Sequence, residues 1–197
     1  MARWYFLTGT LVALGFLASC GPEKAPAPVP TALPLPTAPA DQLFPVPFFP
    51  SRDAEIAGRP VTDVATGWTA ACVYTDQVLS DQQKAFVAGL EPAGGEGQVG
   101  PGFTADFDGD GKDETVSYGA WAKATGEEGN FVLVTRTGES KPEILLLKEL
   151  PGPPKFTVFT KKPDGSLWFG GGIDAGEVTM KIVWDQGKPV FSLLGPD

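Results

Sequence analysis

Val178-Thr179-Met180-Lys181-Ile182-Val183-Trp184-Asp185 places Val178, Met180, Ile182 and Trp184 on one face of an extended chain and Thr179, Lys181 and Asp185 on the other. Side chains alternate across a strand, so the pattern predicts a strand of an antiparallel sheet buried on one side. The whole chain after Gly100 has this character. Short runs at 115–118, 131–137, 143–148, 156–161, 166–169 and 189–194 are separated by turn chemistry: Gly138, Lys162-Pro163-Asp164-Gly165, Gly170-Gly171-Gly172, Asp174-Ala175-Gly176 and Gln186-Gly187. Pro189 lacks a backbone donor and marks the last run as an edge strand.

Before Gly100 the pattern turns partly helical. Ser80-Asp81-Gln82-Gln83 offers a cap residue with Gln three positions later, ahead of Phe86, Val87 and Leu90 on one face, so a helix is expected over about 81–90. The stretch 64–74 stays open: Val64, Trp68, Ala71 and Cys72 fit a helical face, while Gly67 and the threonines weaken it. The expected fold is mainly β, an antiparallel meander forming a small sandwich or open barrel, with one or two short helices N-terminal to it. Its helical part is expected at about 51–95 and its β part at about 100–197.

The segment 21–50 is rich in Pro and Ala and cannot form ladders, because proline removes the donor and extends its predecessor. It reads as a semi-rigid spacer of ~3 Å per residue, whose last part, 43–49, is apolar enough to dock on a single domain at 51–197. Ahead of it, Arg3 and the apolar stretch 4–18 have the charge and length of a signal peptide rather than of a membrane span. That stretch ends in Leu17-Ala18-Ser19-Cys20, which resembles the bacterial lipobox. The resemblance implies cleavage after residue 19 and attachment of acyl chains such as palmitate to Cys20. One acyl chain anchors only marginally, at ~0.8 kcal/mol per buried methylene, whereas the family's two or three hold almost permanently. Gly21 rather than Asp follows the cysteine, which by resemblance to enterobacterial sorting favours the outer membrane, facing the periplasm or the surface.

Loss of residues 1–19 takes only Arg3 from the 15 basic residues, leaving 14 against 24 acidic ones, or −10 before the termini. Such acidity argues against nucleic acid and suits cations or a basic partner. With Cys20 acylated, Cys72 has no disulfide partner and reads as a buried, inert thiol.

The most specific chemical signal is Asp106-Phe107-Asp108-Gly109-Asp110-Gly111-Lys112-Asp113-Glu114. Carboxylates at positions one, three and five of a tight loop converge, a carbonyl at seven adds an oxygen, and glycine at six permits the turn. Asp106, Asp108, Asp110, the Lys112 carbonyl and Glu114 are therefore the expected ligands of Ca2+. Ser117 stands at position twelve in place of the bidentate Glu of an EF-hand, and 115–118 reads as a strand. Over about 103–118 the chain thus resembles the EF-hand-like loop of FG-GAP and VCBS repeats, which joins two strands; their many-bladed propeller does not carry over from one motif. The missing Glu places the affinity at ~10⁻⁴ to 10⁻³ M, unless Glu127, Glu128 or Asp174 completes the shell. Loss of Asp108 is expected to cost stability in calcium and nothing in chelator.

The chain has no histidine, which removes the commonest general base and every Ser-His or Cys-His arrangement. Gly170-Gly171-Gly172 lacks the lysine and hydroxyl of a phosphate loop. The expectation is a protein that is not an enzyme: a calcium-stabilised module at the cell envelope, holding a protein or glycan through its acidic surface or through exposed aromatics such as Trp121 and Trp168, residues that more often belong to a core. An envelope inhibitor of a basic toxin or hydrolase, and a glycan hydrolase using two carboxylates, stand as alternatives.

Overall fold

The computed structural model describes residues 38–44, 49, 51–92, 95–138, 141–169 and 179–194. Its centre is a hairpin of β6 (Glu114–Lys123) and β7 (Glu128–Arg136), folded about Gly126 and paired from Ala122↔Glu128 to Glu114↔Arg136. β8 (Glu143–Pro151) lies on the far side of β7. Two shorter strands share the other side of β6: β5 (Gly102–Ala105) pairs with residues 114–117, and β3 (Trp68–Val73) with 119–123. Gly119 is required there, because a Cβ would lie 2.2 Å from the Cys72 carbonyl oxygen and 2.5 Å from the Phe131 ring.

The second sheet runs in the order β12 (Lys188–Leu194), β11 (Thr179–Asp185), β10 (Leu167–Phe169), β9 (Phe159–Lys161), β4 (Gln98–Gly100). All of its pairings are antiparallel, and β12, with Pro189, is an edge strand as expected. The chain changes sheets at Pro101, between β4 and β5. Neither sheet closes into a barrel, so the protein is a mainly β, two-sheet sandwich.

The alternation explains the core. Val116, Tyr118, Ala120, Val132 and Val134 face Phe159, Leu167, Phe169 and Ile182 of the other sheet, with Met180 and Trp184 packed against the same cluster. Val178 lies outside the described residues. The opposite side of the first sheet is also covered: Trp68, Ala71, Trp121, Phe131 and Leu133 pack under Ile56 and Val61. These last belong to β1 (Glu55–Ile56), β2 (Arg59–Pro60) and α2 (Val61–Val64).

Residues 51–95 mix helix and strand: the stretch 64–74, left open by the sequence, resolves into the end of α2 followed by β3, an integral strand. Burial on both faces of β3 erases the two-residue period that would have revealed it. Among the described residues the short helices are three: α1 (Ala40–Leu43), α2 and α3 (Asp81–Ala88). The apolar end of the spacer docks on the domain as expected, so the packed body starts before residue 51. Leu43 and Phe44 are buried in the main core, and the Phe44 ring stacks on Phe156 at 4.1 Å. Lastly, Trp121 is a core residue, stacked on Trp68 with its Nε1–H donated to the Asn130 carbonyl at 2.8 Å, so it is no binding platform.

α3 carries the expected capping box, with Ser80 Oγ accepting from Gln83 N and Ser80 N donating to Gln83 Oε1. Gln83 Nε2 also donates to the Leu43 carbonyl at 2.7 Å and fastens α1 to α3. Cys72 is free and buried. Burial pushes its thiol up, offset in part by the Ser51 hydroxyl 3.0 Å away.

Candidate metal centre

The acidic loop joins β5 to β6, strand to strand, where the alternation of residues 115–118 put it. Its backbone is wound around the first aspartate. Asp106 Oδ1 accepts from the N–H of Gly109 (2.8 Å) and of Asp110 (3.1 Å), and its Oδ2 accepts from Gly111 (3.0 Å). Asp108 Oδ1 accepts from Asp110 N (3.1 Å), and Asp110 Oδ1 from Lys112 N (2.8 Å). Gly109 and Gly111, at φ +79° and +85°, make the two reversals without Cβ strain. Glu114, the first residue of β6, is fully buried and turns back to accept the Phe107 N–H at 3.0 Å.

This winding brings one carboxylate oxygen each from Asp106, Asp108 and Glu114 within 4.8 Å of one another. The three can hold a metal ion. An all-carboxylate set is hard, and the oxygens that accept one backbone N–H keep a second lone pair for a cation. Asp110 is not in this group; its Oδ1 accepts the Lys112 N–H and its Oδ2 lies 3.6 Å from Arg136 Nη1. Lys112 is exposed and belongs to the loop through its backbone. Glu127 and Glu128 cannot complete the shell. They lie at the other end of the β6–β7 hairpin, where Glu127 pairs with Lys123 at 3.4 Å and Glu128 is in register with Ala122. Eight residues of strand separate Ala122 from Glu114, on the order of 26 Å. Asp174 and Cys20 lie outside the described residues.

Sequence reasoning missed Arg136. It ends β7 directly opposite Glu114, and its Nε donates to Glu114 Oε1 at 2.7 Å. Its Nη2 donates to Asp108 Oδ2, and its Nη1 lies 3.6 Å from Asp110 Oδ2. The hydrogen bond to Glu114 is the largest influence holding the guanidinium above even its ordinary pKa; burial opposes it, and the charges of Asp108, Asp110 and Glu114 add to it. The side chains of Arg136 and Asp108 are 16% and 4% exposed, so this pairing is largely shielded. A signal was available: folding the hairpin about Gly126 puts residue 136 opposite residue 114. Arg136 also changes the expectation for Asp108, whose loss would disturb an ion pair whether or not a metal is bound.

The loop also touches the second sheet. Phe107 stacks on Trp184 of β11 at 4.4 Å, with Lys161 Nζ 5.1 Å from the Phe107 ring. Arg136 Nη2 reaches the Gly187 carbonyl at 3.4 Å in the β11–β12 turn. Gly187 has φ +74°, and a Cβ on it would lie 3.3 Å from Asp108 Oδ2. Comparison of the chain with protein-family models, with curated proteins and with solved structures finds no match.

Proposed function

We propose that this chain is the precursor of an envelope lipoprotein, acylated on Cys20, whose β sandwich binds one structural calcium ion and displays a surface for a partner. The convergence of Asp106, Asp108 and Glu114 carries the calcium reading. Three loop carboxylates face one guanidinium and Asp106 converges with two of them, so Arg136 leaves most of their charge unbalanced, and a second cation of high charge is favoured there. The oxygen donors support a hard cation such as calcium over a softer metal. The ion acts as a rivet: it ties the loop between β5 and β6 to the buried first residue of β6 and stabilises the folded state by mass action.

The anchor reading is supported by Leu17-Ala18-Ser19-Cys20 and the proline-rich segment after it. Among the described residues no helix is long and apolar enough to cross a membrane. For the partner, a groove of about 470 Å³ beside α3, lined by Val87, Val99, Pro101 and Phe103 together with Asp76 and Lys84, supports a protein segment better than a glycan. Burial of Trp121 removes one of the two aromatic platforms a glycan would use.

Two measurements test the reading. Expression in a bacterial host should give a Cys20 diacylglyceryl mass adduct that disappears in Cys20→Ala, and a mature protein without the adduct would overturn the anchor. Thermal melts of the full chain in detergent should rise in calcium over chelator and not with magnesium, and coincident melts would overturn the metal.

A further inference from the structure

We infer that Arg136 is a resident cation of the loop that competes with a bound divalent ion for Asp108 and Glu114 and so sets its affinity; this rests on the calcium reading above. Of the three carboxylates that converge, two already face the guanidinium. Glu114 gives Oε1 to Arg136 Nε at 2.7 Å and Oε2 to the Phe107 N–H, and Asp108 gives Oδ2 to Arg136 Nη2 and Oδ1 to the Asp110 N–H. An ion drawing on those carboxylates lies within a few ångströms of a fixed positive charge in a shielded site, where like charges disfavour each other strongly.

The guanidinium cannot easily leave by itself. It ends a strand, and its Nη2 is held from the other side by the Gly187 carbonyl at 3.4 Å. Binding must therefore push it off the shared oxygens toward that turn, and the cost of doing so is subtracted from the affinity of the loop. The same guanidinium bridges Glu114, Asp108 and Asp110. The result is a site that loads only at high calcium. The free and loaded forms differ in what Arg136 holds.

Calcium titration calorimetry on the full chain in detergent, wild type against Arg136→Gln, tests this, with melts in chelator run in parallel. Arg136→Gln should bind calcium at least about tenfold more tightly, as expected for removing one like charge so near, and should melt lower in chelator. Equal or weaker binding, with the fold retained by circular dichroism, overturns the inference and leaves the calcium reading intact. Absence of binding to both proteins at about 10 mM calcium, above the range of extracellular modules, overturns both. If Arg136→Gln does not fold, the wild-type Arg136 Nε–H signal decides by NMR: calcium should shift it and speed its exchange with water, and an unmoved signal overturns the inference.

Discussion

Glu114 and Arg136 face each other across the last rung of the β6–β7 ladder and meet through a 2.7 Å hydrogen bond, the first fully buried and the second 16% exposed. Glu114→Gln should therefore cost about 2–4 kcal/mol in chelator, because it leaves a shielded guanidinium short of its partner. The double variant with Arg136→Gln should recover part of that loss. Urea unfolding of the two single variants and the double variant measures the coupling, and strict additivity would mean the pair contributes nothing.

Asp106→Asn separates metal binding from loop winding. The amide oxygen can still accept the Gly109 and Asp110 N–H groups now held by Oδ1, while the Gly111 N–H loses its acceptor Oδ2, so stability in chelator should fall by about the ~1 kcal/mol of one lost hydrogen bond. The upward shift in calcium should vanish. An undiminished calcium shift would show that Asp106 is not a ligand.

Phe44→Ala probes where the folded body begins. The side chain is 4% exposed and stacked on Phe156, so its removal should cost about 3–5 kcal/mol, as for other core phenylalanines. A chain truncated to start at Ser51 should show a loss at least as large by denaturant unfolding. A change below about 1 kcal/mol for Phe44→Ala would return residue 44 to the spacer.

Cys72 should resist maleimide in the native state and react on unfolding in urea, since its thiol is buried and held protonated. The folded pKa lies above the unfolded one. The associated stability is therefore complete below the ordinary thiol value near ~8.5 and is lost as pH rises from there toward the folded value. Cys72→Ala should flatten that alkaline decline, which pH-dependent unfolding would reveal.

Asp164 works in the opposite sense. Its carboxylate accepts the Ser166 hydroxyl at 2.6 Å and the Ser166 N–H at 2.9 Å, which hold it below the usual carboxylate range. The stability it gives is present above the ordinary Asp value near ~3.9 and is lost as pH falls through the folded value. Asp164→Asn should therefore narrow the stability difference between neutral and acid pH, by a small amount because the side chain is exposed. An unaltered difference would show that the turn does not depend on that charge.

Local chemistry was the legible part of this chain. The capping box at Ser80, the turn glycines and the acid spacing from Asp106 to Glu114 each act within a few residues, and each appears where its pattern put it. β3 was hidden because Ala70, Ala71 and Cys72 are all buried, on both faces of a sheet. β4 and β5 are three and four residues long, too short to show a period. Arg136 required the hairpin register, a relation between residues 22 apart. The same register moves Glu128 away from the loop, so knowing it would have added one site residue and removed two.

The placement of Phe44 has a mechanical side. If the chain hangs from a membrane by Cys20, any pull enters the folded body at α1, a single helical turn held by the Gln83 bond to the Leu43 carbonyl and by the Phe44–Phe156 stack. Those contacts would give way first. Ser51 and Asp53, bonded along β3, come next in the line of force, whereas the acidic loop lies between β5 and β6, far along the sequence from the point of loading. The protein would lengthen under tension by shedding its first turn, a short extensible lead ahead of a sandwich still intact.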